Sequence, residues 1–375
     1  MVKISVLIPV YNAKDFLHDS IPSLLNQTFE DFELICVNDG SKDNSLEILN
    51  EFAAKDSRVK VFNKENGGCG SARNFALENA SGDYVYFFDP DDELESNALE
   101  LAYESATKNN SDMVIFKANS FDKNGYSNKD IFFNYRAIKK EDYGNVSKEI
   151  IMTYALKGGY APWSKLYKKK FLDSYDDFKF DLGIAFDDVP FHVKSILRAE
   201  RVSYINKVLY HYRVDNVNSV NSTASNGFDI FKIMDIVENI LKEENHFEDL
   251  KKEFYNFKVN HILIYIISTY SEEYFRIAQE KFKEIESNYL DEGTFLRHRY
   301  DLVLECDTFD EFKPKYEAIF LDNEVKKYEK MVRKLEKENN QLKDEVKSLK
   351  KEKKDILNSK SWKLTKPFRD FKKLV

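Results

Sequence analysis

The stretch Tyr84–Glu93, with the sequence YVYFFDPDDE, constrains the fold more than any other part of the chain. Its unbroken run of aromatic and β-branched residues predicts a strand buried on both faces, and carboxylates around a proline follow at once. Open α/β sheets bind their ligands outside the carboxyl ends of the strands. Pro90 favours an extended conformation at Asp89, so Asp89 and Asp91 can point to one side and share a hard cation, Mn²⁺ or Mg²⁺. The alternative is an acidic turn that caps the next helix.

Strand and helix signals alternate through residues 1–116, which predicts an α/β fold with a doubly wound, parallel or mixed sheet. The predicted strands are Ile4–Val10, Glu33–Asn38, Val59–Asn63, Tyr84–Phe88 and Met113–Phe116, with helices near residues 15–27, 44–55, 71–80 and 96–108. Residues 117–222 are less regular and end in a strand-like segment, and residues 223–320 have a helical pattern.

Residues 321–358 carry the clearest periodicity in the chain. One heptad position is occupied by Val325, Val332, Asn339, Val346 and Lys353, and the position three residues later by Tyr328, Leu335, Leu342, Leu349 and Ile356. β-Branched residues at the first position with mostly leucine at the second predict a parallel coiled coil, and hence a homodimer. The alternative is a single amphipathic helix that packs back on the body of the protein.

Charge is divided unevenly along the chain. Residues 321–375 carry 18 Lys and Arg against 10 Asp and Glu, a net charge of +8. Since the whole chain has a net charge of −8, residues 1–320 carry −16. The acidic body argues against nucleic acid as a partner. Residues 359–375 hold six Lys and Arg, one Asp and interleaved apolar residues, which predicts binding to an anionic membrane. The alternatives are a solvated basic tail or a cap on the acidic body.

The compartment is predicted from weaker signals. The first apolar run is too short for a signal peptide and is broken by Pro9, and no stretch reaches the length of a membrane span. The three cysteines are scattered, which fits a reducing compartment. We therefore expect a cytoplasmic protein, peripheral at the inner face of the cell membrane.

Polar residues follow two further predicted strands. Tyr11 and Asn12 end the first strand and Asp39 ends the second, so a ring, an amide and a carboxylate are expected beside Asp89. This set suits a pyrimidine base, although the segment around Asp39 also reads as a plain turn. The glycine-rich loop Asn66–Asn74 opens a helix and suits a phosphate.

Four stretches, PVYN, VNDGS, NGGCGSARN and FFDPDDE in this order, resemble the inverting family 2 glycosyltransferases with the GT-A fold. The resemblance implies a nucleotide-sugar-binding half in residues 1–116 and an acceptor-side half in residues 117–222. It implies that the nucleotide, most often uridine diphosphate, is held by Pro9, Tyr11, Asp39 and Arg73. Asp89 and Asp91 match the DxD pair, one near the ribose and one on the metal, with Asp92 as a substitute ligand.

The same resemblance supplies a base. Asp188 matches the catalytic aspartate that takes the proton of the acceptor hydroxyl, while Asp187 stands where the family usually has glutamate. The alternative is a pair that caps the next helix. Trp163 and Lys165 resemble an acceptor-side segment, although Trp163 also suits the core. His211 could be a further metal ligand or contact a phosphate, and the alternative is a structural histidine after a strand. Arg213 could likewise contact a phosphate and is grouped with the acceptor side.

The implied activity is a metal-dependent inverting transfer from a nucleotide sugar, most often a UDP-sugar, to a glycan or lipid-linked glycan acceptor in cell-surface glycan synthesis. The hypothesis from a different class is a non-catalytic scaffold of the same fold, which assembles partners through the coiled coil. Release of nucleoside diphosphate from a nucleotide sugar discriminates between them.

Overall fold

The structure of the protein, a computed structural model, describes residues 2–130, 137–216 and 227–358. It consists of two compact units, Met1–Tyr300 and Asp301–Val375. The predicted basic tail, residues 359–375, lies outside the described residues. No helix in the described ranges combines the length and apolar content that a membrane span requires.

The first unit is built on a mixed sheet. Its strands are β1 Ile4–Val10, β2 Phe32–Asp39, β3 Val59–Lys64, β4 Tyr84–Phe87, β5 Glu93–Leu94, β6 Met113–Asp122, β7 Gly125–Asp130, β8 Lys165–Lys168 and β9 Val202–Arg213. The strand order is β3-β2-β1-β4-β8-β6-β9-β5, and β7 pairs with β6. Strands β1 to β4 are parallel, whereas β8 is antiparallel to both of its neighbours, β4 and β6.

Helices connect and cover the strands. Those of the first unit are α1 Leu17–Leu25, α2 Ser45–Lys55, α3 Cys69–Glu78, α4 Ala98–Asn109, α5 Lys148–Met152, α6 Lys169–Leu172, α7 Asp188–Arg198, α8 Asp229–Glu243, α9 Phe247–Ser268 and α10 Glu272–Lys283. Helix α11 is Phe295–Glu305, and α12 in the second unit is Phe309–Asn358. The strands and helices predicted for residues 1–116 are confirmed, with ends that differ by a few residues. The predicted irregularity of residues 117–222 is wrong in part, because β7, β8 and α5 to α7 lie there.

An aromatic core joins the sheet to the segment that precedes α7. Phe87 of β4 contacts Phe180 and Phe191, with ring centroids 5.2 and 5.6 Å away. Phe180 and Phe191 stack on each other at 4.4 Å, nearly in parallel. Aromatic pairs in such geometries stabilise a core beyond the area that they bury. This packing fixes the chain leading to Asp188 against β4, the strand that precedes Asp89.

Candidate active site

The three central parallel strands end at one edge of the sheet. Ile4 of β1 lies opposite both Phe32 of β2 and Tyr84 of β4, so the carboxyl ends of these strands are adjacent. Pro9 is buried within β1, and the predicted polar side chains follow at the ends: Tyr11 and Asn12 after β1, Asp39 at the end of β2, and Asp89 and Asp91 after β4. Side chains from three separate sequence motifs therefore share this edge.

Asp39 is bonded to the glycine-rich loop. Its carboxylate accepts hydrogen bonds from Lys64 Nζ at 2.6 Å, Gly67 N at 3.0 Å and Gly68 N at 2.8 Å. Asn66 donates through Nδ2 to the carbonyl oxygen of Asp39 at 2.8 Å. Two loop amides predicted for a phosphate thus bind a carboxylate of the protein instead.

Tyr11 and Asn12, which follow β1, differ in hydrogen bonding within the described residues. The Tyr11 side chain is 51% exposed. Asn12 has a φ of 50°, accepts a hydrogen bond from Lys42 N at 2.7 Å through Oδ1, and donates its own N–H to Ser41 Oγ at 3.0 Å. Asn12 therefore ties the end of β1 to the turn after β2, while the ring of Tyr11 faces solvent and is open to stacking.

Arg73 joins the two acidic motifs. From α3 it donates a hydrogen bond through Nη2 to Asp89 Oδ1 at 2.9 Å, and its Nη1 lies 3.5 Å from Asp187 Oδ1. The guanidinium lies over the ring of Phe180, 5.2 Å from the centroid. Arg73 is 7% exposed, and its Nε is a buried donor that has no hydrogen-bond partner within the described residues. This guanidinium thus links the residues after β4 to the start of α7, and its Nε–H remains available as a hydrogen-bond donor within the described part of the chain.

Asp187 and Asp188 stand at the amino-terminal end of α7. Burial raises the pKa of Asp187 to about 7, against the opposing effect of Arg73. Burial also raises the pKa of Asp188; Arg73 and Lys165 oppose this shift, and Asp89 adds to it. Asp188 directly follows Asp187, which lies beside the Arg73 guanidinium. A carboxyl group with a raised pKa accepts a proton more readily, as a general base must.

The acidic turn divides into an outer and an inner part. Asp91 is half-buried, and its Oδ2 accepts a hydrogen bond from Asn216 Nδ2 at 2.8 Å. Asp92 is completely buried and accepts hydrogen bonds from the hydroxyl of Tyr210 and the backbone N–H of Arg213. Both oxygens of Asp92 are thereby directed into the protein. The geometry does not support Asp92 as a metal ligand, because each of its two buried carboxylate oxygens already accepts a hydrogen bond from within the protein.

His211 and Arg213 support the acidic turn from β9. The ring of His211 lies between Asn119 and Glu95, with Nδ1 2.5 Å from Asn119 Oδ1 and Nε2 3.0 Å from Glu95 Oε1. Both ring nitrogens are engaged, so the geometry gives no support for His211 as a metal ligand. Arg213 donates through Nε to the carbonyl oxygen of Asp91 at 2.8 Å and thus braces the turn.

Trp163 and Lys165 lie inside the protein. Trp163 is 3% exposed and stacks on Tyr210 with ring centroids 4.3 Å apart, which favours the core role over a sugar-facing one. Lys165 is fully buried and donates to the carbonyl oxygens of Gly159 at 2.6 Å and Ala161 at 2.7 Å. Burial lowers the pKa of Lys165 to about 7.

The residues fit a divalent cation only in part. Burial raises the pKa of Asp91 and the neighbouring Asp89 carboxylate adds to the rise, so a cation bound here would favour the charged form of Asp91. Within the described residues there is no group of three or more His, Cys, Asp or Glu suited to a metal. One or two carboxylates completed by phosphate oxygens and water are the usual set for Mg²⁺ or Mn²⁺, and Asp91 with Asp89 provides that number.

Several residues at the site were not predicted from the sequence. Asn74 of α3 holds Phe180 by two hydrogen bonds, from its Nδ2 to the carbonyl oxygen at 2.9 Å and from the Phe180 N–H to its Oδ1 at 2.8 Å. A Cβ atom at Gly70 would clash with the Asp187 carboxylate. Both lie within the NGGCGSARN stretch, and only the path of residues 176–188 reveals their contacts.

Sequence comparisons with known proteins all match this chain to glycosyltransferases. The sequence model described as "Glycosyl transferase family 2" matches residues 5–175. The putative glycosyltransferase EpsH of Bacillus subtilis is 30% identical over 287 residues, which cover 75% of this chain and 81% of EpsH. Glycosyltransferase GlyA of Streptococcus pneumoniae is 34% identical over 218 residues, and the match covers 56% of this chain. The chain spans 30% of the length of GlyA.

Solved structures agree on the fold. The crystal structure of S. aureus TarS 1-349 superposes with a TM-score of 0.62 at 23% identity, and covers 86% of this chain and 92% of that one. The same protein in complex with UDP-GlcNAc superposes with a TM-score of 0.53. At this level of identity the likeness shows a common architecture.

Proposed function

The chain belongs to glycosyltransferase family 2, with the GT-A fold, and on that premise we propose that it transfers a sugar from a UDP-sugar to an acceptor hydroxyl with inversion of the anomeric carbon. The observation that carries the proposal is the contact of Arg73 with both Asp89 and Asp187. It brings the donor-side motif and the base motif to one centre, as a single-step displacement requires.

The donor side is proposed to hold the nucleotide. The exposed ring of Tyr11 stacks on the base, Asp39 accepts its imide N–H, and the crystal structure of TarS with UDP-GlcNAc is consistent with uridine in this fold. Because Asp39 already accepts hydrogen bonds from Gly67 and Gly68, base binding exchanges one of these donors and frees an amide for the diphosphate. The Nε of Arg73, which has no hydrogen-bond partner in the part of the chain that the structure describes, offers a further donor.

The base is proposed to be Asp188. Its raised pKa favours proton uptake from the acceptor hydroxyl, and general-base help of this kind contributes about 10²–10⁴-fold to a rate. Asp91, with Asp89, would hold Mn²⁺ or Mg²⁺. Such an ion neutralises charge on the leaving diphosphate when it is bound. Residues 1–116 thus bind the donor, and residues 117–222 form the acceptor side.

The acceptor is proposed to be a glycan or a lipid-linked glycan of the cell surface, and the tail, residues 359–375, is proposed to bind an anionic membrane. Six basic residues in the tail contribute about 1 kcal/mol each near a charged bilayer. Sedimentation with liposomes of anionic lipid, compared with neutral ones, tests this. Equal sedimentation with both, at low salt, contradicts it.

The second unit is proposed to form a parallel coiled-coil dimer. The heptad residues of α12 are exposed, for example Leu335 at 52% and Leu342 at 60%. In a parallel pair Glu338 faces Lys343 of the second copy and Glu345 faces Lys350, whereas an antiparallel pair sets these glutamates against each other. The heptad residues of α12 form a mostly apolar stripe, here called the seam. The seam and the charges beside it both favour a second copy of the chain as the partner.

The test of the activity is release of nucleoside diphosphate from a panel of nucleotide sugars, with Mn²⁺ and then with a chelator. We expect release with Mn²⁺ and its loss with the chelator or in Asp91→Asn, which removes a hard anionic ligand at equal volume. A lack of release with every sugar, despite nucleotide binding, would favour the non-catalytic scaffold.

A further inference from the structure

Phe186 has an unusual backbone conformation directly before the two aspartates of α7. Its φ is +63°, in the left-handed region that bulky L-residues seldom adopt. Strained residues of this kind persist only where the surroundings over-determine them, and they cluster at functional sites. Because Asp187 and Asp188 come next in the chain, the conformation of Phe186 sets the direction of both carboxylates.

Two contacts from the helical region hold this segment. The N–H of Ala185 donates a hydrogen bond to Asp229 Oδ2 at 3.0 Å, and the ring of Phe186 packs on Tyr265 with centroids 5.3 Å apart. Asp229 is the first residue of α8, and Lys232 Nζ lies 3.1 Å from its other oxygen, so the carboxylate is itself held in place. Helix α8, through Asp229, and helix α9, through Tyr265, thus contact the two residues that precede Asp187.

The supporting helices are joined to each other and to α7. Helix α8 packs against both α7 and α9. Tyr265 lies on α9, so its ring contact with Phe186 links α9 to the residue two positions before Asp188. A movement of α8 or α9 would therefore reach the amino-terminal end of α7.

We propose that α8 and α9 form a clamp on residues 185–188, in which Asp229 and Tyr265 are positioning residues for Asp188. The clamp rests on the proposed function, in which Asp188 is the base. Without these contacts Phe186 relaxes toward a right-handed conformation and Asp188 turns away from the acceptor hydroxyl. A general base must lie within hydrogen-bond reach of the proton that it takes. The helical region is then part of the catalytic unit.

The test uses the full chain and four variants. Asp229→Ala removes the acceptor of the Ala185 N–H, whereas Asp229→Asn retains a side-chain oxygen that can accept it. Tyr265→Ala removes the ring that faces Phe186. Asp235→Ala is the matched control, because Asp235 lies on the same helix and pairs with Lys281 at 2.8 Å, away from residues 185–188. Hydrogen exchange of a peptide covering residues 183–189 and steady-state hydrolysis of the best UDP-sugar are measured for each.

We expect Asp229→Ala and Tyr265→Ala to speed exchange at residues 183–189 by about tenfold, as loss of a hydrogen bond or a ring contact predicts. Their kcat should fall by about 10- to 100-fold with KM for the donor nearly unchanged, since misplacement of a base acts on the chemical step. Asp229→Asn and Asp235→Ala should remain close to the parent in both measurements.

Unchanged exchange at residues 183–189, or equal effects from Asp235→Ala, would overturn the clamp. So would a rise in KM that matches the loss of kcat, or an Asp229→Asn variant as impaired as Asp229→Ala. The exchange measurement needs no turnover. If the parent hydrolyses no nucleotide sugar, the proposed function fails, and exchange alone still decides whether the clamp exists.

Discussion

At the scale of single residues, Arg73 decides how the carboxylates of the site share their charge. One guanidinium contacts Asp89 and Asp187, and its field opposes the rise that burial causes in the pKa of Asp188. Arginine suits this task because its fork of donors can serve two carboxylates at once, which the single ammonium of lysine cannot do in the same geometry. The site therefore keeps several acidic groups close together around one permanent cation.

Asp188→Asn should sharply reduce turnover while donor binding stays near that of the parent. The amide has the shape of the carboxylate but cannot take a proton, so the loss falls on the chemical step, at about 10²–10⁴-fold. Donor affinity and the rate of transfer are measured side by side. A proportional loss of both would mean that Asp188 is structural or bound to the metal.

Asp187 should make the stability of the protein depend on pH. Its pKa rises from 3.8 to about 7 on folding, so the folded state binds this proton more tightly than the unfolded state does. The stabilising contribution is full below about pH 4 and is lost as the pH rises toward 7. Denaturant unfolding of the parent and Asp187→Asn between these pH values should show the variant gaining relative stability with rising pH. A constant difference across the range would contradict the shift.

At the scale of elements, one face of α3 builds the junction with the base segment. Gly70, Arg73 and Asn74 follow the spacing of a helix face, and each meets residues 180–187: Gly70 by its lack of a side chain, Arg73 by its charge, Asn74 by two hydrogen bonds. The glycine-rich loop thus serves close packing as well as any ligand.

Gly70→Ala should damage the protein, although alanine normally stabilises a helix relative to glycine by about 1 kcal/mol. The added Cβ would clash with the Asp187 carboxylate, so we expect a destabilisation of about 1–3 kcal/mol and a weaker pairing of Asp187 with Arg73. Thermal unfolding and nucleotide-sugar hydrolysis check this. An increase in stability, as helix propensity alone predicts, would show that the segment can move aside.

Local pattern was sufficient for part of this architecture. Strands β1, β2 and β4 are mostly apolar and buried along their length, so the sequence predicted them with small errors at the ends. The insertion of β8 between β4 and β6 was not predictable, because Lys165–Lys168 reads as an ordinary polar segment until a neighbour pairs with it. The inward turn of Asp92 likewise depends on Tyr210, a residue far away in the chain.

At the scale of the whole molecule, the exposed seam of α12 predicts that the protein is a dimer. Leu335→Arg with Leu342→Arg in the full chain places like charges in the seam and should convert a dimer of 44.1 kDa chains into a monomer. Asn340→Arg with Gln341→Arg adds the same charge outside the seam and should remain dimeric. Light scattering measures the mass, and a parent protein that is already monomeric would refute the coiled coil.

The stack of Trp163 on Tyr210 also equips the protein with an optical reporter. The chain contains two tryptophans, and the other, Trp362, lies in the tail. Replacement of Trp362 by phenylalanine leaves a single indole, which lies against the ring whose hydroxyl contacts Asp92 in the acidic turn. Emission from an indole depends on its immediate neighbours, so a rearrangement of that turn on donor binding would change the fluorescence. Donor affinity could then be titrated without labelling the protein or following turnover.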